Sequence, residues 1–462
     1  MSLQNALTYA QGNRDASLAQ LTEWLAIPSL SAVPEAAADV GRAADWLAAH
    51  LRSIGLENVE VVATGGHPVV YADWLHAPDA PTVLVYGHYD VQPVKPDEWA
   101  TPPFEPTVQD GKLFARGSAD DKGQTFIHVK AVEAYLKTAG RLPVNVRFLV
   151  EGEEEVGSRS LRPFLAEHAD RLRADTVVIS DTPWVAAGVP TIGVGLRGGA
   201  GVEVEVHGPS HDLHSGLHGG AVQNPIHVAA QIIAALHDEG GRVKVPGFYD
   251  KVRTLSEAER ADMARIPITD EQIIAETGAP RLWGEAGYSV LERMGARPTL
   301  DVLKFVAGGD ASAVPSVARF KVAARLVPDQ EPAEIAMLLR DYILSIAPDT
   351  VRVTVVERSG GSGVLIDPNG PGLASARQAF RETFGGDPVF ARIGGGIPVV
   401  LMFRTVLNLP SLLMGFGLPD DGLHGPNEKL DLAQFYSGIE TSIRFMDLFG
   451  SQGASAATAT RG

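Results

Sequence analysis

Residues 83–90 read VLVYGHYD: Val83, Leu84, Val85 and Tyr86, a glycine, then His88 and Asp90. A short β-branched and aromatic run bounded by glycine has the character of a buried strand. It leaves a histidine and an acid where the strand stops. The pattern recurs along the chain. Asp181 closes VVISD (177–181), and Glu154 and Glu155 follow the alternating run VNVRFLVE (144–151). His424 follows the apolar MGFGL (414–418). Asp120 stands in ARGSADDKG (115–123), where a helical run to about Lys137 opens. Open α/β sheets gather their ligands at the carboxyl ends of their strands. Five such segments therefore predict one polar site, assembled on a sheet of that kind.

Outward from this stretch, helical spacing occupies 14–26 and 39–54, with Leu18, Leu21, Leu25 and Ala43, Leu47, Leu51 on apolar faces. Strands are expected near 57–63, 68–74, 82–86, 144–151 and 176–180. The alternation predicts an α/β fold, a mixed and mostly parallel sheet flanked by helices. The character changes at LRGGAG (196–201). Beyond it come the alternating VEVEV, a His- and Gly-rich loop at 207–220, a helix from near Asn224, the alternating VARFKVAARLVP, a helix near 332–346 and a strand near 351–357. These predict a smaller inserted α+β domain. The expected organisation is a catalytic domain in two parts, 1–198 and 358–450, the inserted domain at 199–357, and a disordered tail at 451–462.

At 462 residues the chain exceeds one ordinary domain. Its 56 acidic against 39 basic residues give a net charge of −17, which argues against nucleic acid and against an anionic membrane surface. The absence of cysteine excludes disulfides, thiolate ligands and a cysteine nucleophile. No apolar run is long enough to span a bilayer, and the first residues lack the apolar core of a secretory signal. These features predict a soluble cytoplasmic protein.

Imidazole nitrogen and carboxylate oxygen, without sulfur, suit zinc, manganese or cobalt. Two histidines and at least three carboxylates are too many for one catalytic zinc, and sufficient for two ions sharing a carboxylate. Glu154 and Glu155 could divide the labour, one binding metal and one reaching a water. Asp90 lies on the same side of an extended chain as His88 and could hold its other ring nitrogen. Each residue also has an ordinary reading: Glu153–Glu155 as a solvated acidic run, Asp121 as a helix N-cap, His128 as a packed helical residue. His207, His211, His214 and His218 mimic a second cluster, but only Asp212 is acidic near them.

Together GHYDVQP, ARGSADDKG, EGEEEVGS, ISD, DLHSG, RLVPDQ and HGPNEKL (424–430) resemble the M20 family of metallopeptidases, and PGFYD (246–250) resembles its dipeptidase branch. The resemblance implies two divalent ions per subunit, zinc first, with manganese or cobalt as alternatives. It assigns His88, Asp120 and Asp181 to one ion and Asp120, Glu155 and His424 to the other, with Asp120 bridging. Glu154 would be the general base that activates a bridging hydroxide, and Asp90 would orient His88. The bond joining Asp120 to Asp121 would be cis. The inserted block would be a lid and dimerisation domain. There His214 would reach the neighbouring subunit's site in a homodimer and stabilise the oxyanion, while Arg325 would bind the substrate carboxylate. Asn224 is a candidate substrate contact. The implied activity is cleavage of dipeptides or very short peptides.

Two segments depart from that pattern. ASAVP stands where KTVIP is usual, so Ser312 replaces a threonine, and GGGIP puts Gly396 where a serine hydroxyl is usual. Both changes fall on substrate contacts. The alternatives are an N-acyl amino acid deacylase on the same centre, a non-catalytic dimeric binding protein, and a dinuclear phosphoesterase. The last would want several cations beside the metals, and only Arg116, Lys122 and Arg159 lie beside the motifs.

Overall fold

The structure, a computed structural model, describes the backbone of residues 2–308, 312–393 and 398–459. The chain divides into two compact units, Met1–Val194 with Ile366–Ala391 and Pro398–Gly462, and Gly195–Leu365 with Arg392–Ile397.

The first unit is built on a mixed sheet in the order 57–62, 69–74, 145–151, 82–88, 176–179, 411–413, 191–196. At its centre, Thr82–His88 runs parallel to both Asn145–Glu151 and Thr176–Ile179, and Ser411–Leu413 continues the parallel set. The outer pairings are antiparallel. Val83, Leu84, Val85 and Tyr86 are buried on both faces of the sheet, as a strand between covering helices requires. The helix Lys122–Ala139 is buried over most of its length and packs against Ser2–Gly12 and Leu432–Ala459. A small antiparallel sheet joins Thr107–Gln109, Lys112–Phe114 and Lys429–Asp431.

The second unit is a four-stranded antiparallel sheet in the order 299–307, 317–326, 198–207, 352–359. Val202, Val204, Val206, Phe320 and Val322 turn to one face, where helices Pro225–Ala235 and Pro332–Ile346 cover them. Glu203, Glu205, Arg319 and Lys321 take the other.

Three differences from the sequence reading have local causes. The strand of residues 82–88 runs on through Gly87 and His88, because both residues still pair with Asn145–Glu151. The last helix, Leu432–Ala459, was not read as one, although Phe435, Ile439, Ile443 and Met446 on it are buried at helical spacing. Three unread helices, Glu257–Ala264, Asp270–Thr277 and Val290–Gly295, each begin with a capping box: Ser256 with Glu259, Thr269 with Gln272, Ser289 with Glu292. No helix among the described residues is long and apolar enough to cross a membrane.

Candidate metal centre

Four neighbouring strands, 145–151, 82–88, 176–179 and 411–413, point the same way, so their carboxyl ends share one edge. His88 is the last residue of its strand, and Asp181 lies two residues beyond Ile179. Glu154 and Glu155 open a short 3-10 turn after Glu151. His424 lies on the loop after Leu413, in the left-handed region at φ 60°. Asp120 stands in the turn that leads into helix Lys122–Ala139, and its peptide bond to Asp121 is cis. Two glycines make this convergence possible. A Cβ at Gly87 would lie 1.8 Å from Thr125 Oγ1, and one at Gly123 would lie 1.9 Å from the Ser118 carbonyl.

The candidate ligands form two groups, His88 with Asp120 and Asp181, and Asp120 with Glu155 and His424, each with its ligand atoms within 4.8 Å of one another. Asp120 belongs to both and turns one oxygen to each. Its Oδ1 is 3.1 Å from His88 Nε2, and its Oδ2 is 3.0 Å from His424 Nε2. His424 Nε2 is also 3.3 Å from Glu155 Oε2, and His88 Nε2 is 4.0 Å from Asp181 Oδ2. Ligands held at about 2.0–2.2 Å from an ion lie at most about 4.4 Å apart, so slight adjustment would close each group on a cation. His88 Nε2 is buried and, despite its closeness to Asp120, lacks an aligned hydrogen bond, as a lone pair reserved for a metal would.

Surrounding groups fix these atoms. His88 Nδ1 lies 3.0 Å from the carbonyl of Asp90 and 3.4 Å from its carboxylate. Nδ1 is thus the donor, and Nε2 faces the site. The Asp90 carboxylate accepts from Ser31 Oγ at 2.6 Å and from the backbone amides of Glu154 at 3.2 Å and Glu155 at 3.0 Å. One aspartate therefore ties His88 to the glutamate pair. Gln92 Nε2 donates to Glu155 Oε2 at 2.7 Å, whereas no described residue hydrogen-bonds the Glu154 carboxylate. Asp121 accepts from the His88 amide at 3.2 Å and from Thr125 Oγ at 2.8 Å, and its side chain does not cap the helix. His128 is packed between Ser442 and Ser180, away from the ligands.

The protein groups alone are electrostatically crowded. Burial, reinforced by Asp120, raises Asp181 to about 8. Burial also lifts Glu154 to about 7, with Glu155 and Asp120 adding to it and His88 opposing. Hydrogen bonds to Asp120 and Glu155 raise His424 to about 10. For Asp120, burial is outweighed by the nearness and positive charge of His424 and His88, which hold it below the usual carboxylate range. Bound cations would relieve this crowding and displace these protons.

Residues 84–447 match the profile of peptidase family M20/M25/M40. The chain belongs to that family. It is therefore an enzyme of the M20 metallopeptidase class. It is 31% identical over 457 residues to the Cys-Gly metallodipeptidase DUG1 of Candida albicans, covering 93% of this chain and 94% of the relative. With the human Beta-Ala-His dipeptidase it shares 29% over 466 residues, 96% of this chain and 92% of the other. Among solved structures, the di-peptidase Dug1p of Saccharomyces cerevisiae superposes with TM-score 0.80 at 28% identity, covering 98% of this chain and 99% of that one. Human carnosine dipeptidase 1 gives 0.81 at 28%, with the same coverage.

The other candidate residues of this M20 peptidase lie in the second unit. His214 is exposed on a two-stranded ribbon, opposite Ala313, and Ser215 Oγ donates to the Ser312 carbonyl at 3.1 Å. His214 and Ser312 are therefore neighbours. His214 Nδ1 accepts the Gly216 amide at 3.1 Å, so in the neutral ring the proton sits on Nε2. Asn224 Oδ1 caps the helix Pro225–Ala235 through the Ile226 amide at 2.8 Å, which commits that oxygen to structure. Arg325 is exposed on the strand Val317–Leu326. Gly396 lies outside the described residues. Sequence reasoning passed over Arg197, two residues before Gly199, the strand partner of Arg325; burial and then the charge of Arg325 lower its pKa. It also missed Glu428, which lies in the quoted HGPNEKL motif but drew no role because three of its four partners are backbone amides and the fourth, Arg116, is about 300 residues away in sequence.

Proposed function

We propose that the chain is a dinuclear metallodipeptidase. The observation that carries this reading is Asp120, which presents one oxygen to each of two ligand groups 3.0–3.1 Å away. His88, Asp120 and Asp181 would hold one divalent ion, and Asp120, Glu155 and His424 the other, with zinc the first expectation and manganese or cobalt the alternatives. When bound, such a pair supplies Lewis-acid polarisation of the scissile carbonyl and a water of lowered pKa. Glu154, whose carboxylate no described residue hydrogen-bonds, takes the proton of the attacking water and passes it to the leaving amine. Asp90 holds Glu154 in place through its amide. Arg325 binds the substrate's carboxylate, for which a planar guanidinium is suited. In a homodimer, His214 of the partner subunit donates a hydrogen bond from Nε2–H to the developing oxyanion. Such a donor is worth about 2.7–4 kcal/mol.

The relatives are named for Cys-Gly and Beta-Ala-His, so these two dipeptides head the test panel. Chelated enzyme, and enzyme reconstituted with zinc, manganese or cobalt, would be assayed on dipeptides, tripeptides and N-acetyl amino acids. Metal-dependent cleavage of dipeptides is the expected result. Turnover of the acylated substrates alone would overturn the dipeptidase reading in favour of a deacylase.

A further inference from the structure

Glu428 is fully buried and four residues beyond His424. Its carboxylate accepts four bonds from the loop that carries Asp120. Oε1 accepts the amides of Ala119 at 2.9 Å and Asp120 at 3.0 Å. Oε2 accepts the Gly117 amide at 2.9 Å and Arg116 Nη1 at 2.7 Å. Arg116, also buried, reaches back with Nη2 to the Gly425 carbonyl at 2.9 Å, and the Glu428 carbonyl accepts the Ala115 amide at 3.1 Å. Two loops about 300 residues apart in sequence are thus sewn together at six points, and each carries a ligand. The His424 loop needs such support. Gly422, His424 and Asn427 all have positive φ, a conformation unfavourable for the two non-glycine residues in isolation.

We propose that Glu428, together with Arg116, is a positioning residue that sets the separation of Asp120 and His424, and so the affinity of the ion held by Asp120, Glu155 and His424. The proposal rests on the dinuclear reading above. The other group depends on the clamp less, because His88 is tied to the Asp120 turn independently, through its amide and Asp121. Glutamine at 428 keeps the shape, but its amide nitrogen cannot accept from backbone N–H groups, so two or more donors would be left facing a donor.

The test is a metal titration of full-length Glu428→Gln by competition with a chromophoric chelator, using zinc and manganese. One of two affinities should fall about 10–100-fold, the usual loss when a ligand's supporting partner is removed. Activity should return at raised metal concentration, and the unfolding midpoint of the chelated protein should stay near that of wild type. In a His424→Ala background, Glu428→Gln should shift the remaining affinity by less than about threefold, since the two changes share one site. Wild-type affinity at both sites would overturn the proposal. So would an equal loss at both sites with a lowered midpoint, which would mark Glu428 as a general support of the fold. If Glu428→Gln does not fold, Arg116→Lys decides by the same criteria, because lysine keeps the charge but cannot bridge Glu428 and Gly425 together. A wild-type chain that binds only one ion refutes the dinuclear reading itself, and the clamp with it.

Discussion

Glu154→Gln separates the two adjacent glutamates. The Glu155 carboxylate is engaged by Gln92 and lies 3.3 Å from His424, while no described residue hydrogen-bonds the Glu154 carboxylate. Burial, with Glu155 and Asp120, raises Glu154 to about 7, so it holds a proton more readily than an ordinary carboxylate. Glutamine has the same size and cannot accept that proton. A positioned general base contributes about 10²–10⁴ in rate. At about 1.4 kcal/mol per tenfold, the substitution should raise the barrier by about 3–5.5 kcal/mol. The assay is steady-state hydrolysis of Cys-Gly with bound metal measured on the same sample. The expectation is a fall of about 10²–10⁴ in kcat, with KM little changed and the metal content intact. A variant within about tenfold of wild type, with its ions in place, would refute the assignment of the base. Loss of an ion would show instead that Glu154 is a ligand and that the division of labour is wrong.

Other outcomes follow from the same geometry. Asp120→Asn should abolish the stabilisation that added zinc or manganese gives in thermal unfolding, and Asp181→Asn should remove only part of it; equal losses would contradict the bridging assignment. Gly87→Ala should cost about 1–3 kcal/mol in urea unfolding of the chelated protein, because its Cβ would strike Thr125 Oγ1; an unchanged midpoint would refute the close approach. Burial holds His128 neutral, with its pKa lowered to about 4. The neutral ring's contribution is full above the unfolded-state value near 6.5 and is lost as pH falls toward 4, on the order of 3 kcal/mol in all. His128→Gln should therefore lose its disadvantage to wild type across that window in urea titrations, and a constant difference would contradict the buried neutral state.

The strand ends were legible because runs such as VLVY and VVI stop abruptly at polar residues, and a buried parallel strand has little other sequence signature. Placing those ends on one edge brought the segments together; the choice of His88, Asp120, Glu155, Asp181 and His424 as ligands came from the resemblance to the M20 family. Backbone partners were not legible. The carbonyl of Asp90 faces His88 Nδ1, and Glu428 collects three amides, neither of which any side-chain pattern records. The helix Ser2–Gly12 went unread because only Ala6 and Leu7 are buried on it, too few to set a period. The three capped helices of the second unit carried a readable signal in SEAE, TDEQ and SVLE, but their short apolar content hid it. The pairing of Ser312 with the His214 ribbon needed the register of strands almost 100 residues apart.

Under the proposed function, two ions shared through Asp120 make the enzyme active. The most direct test is to titrate chelated enzyme with zinc or manganese while following Cys-Gly cleavage and the ions bound per chain. Activity should reach its plateau only at two ions per chain, and Asp120→Asn should never reach it. Full activity at one ion per chain, or in the Asp120→Asn variant, would contradict that function.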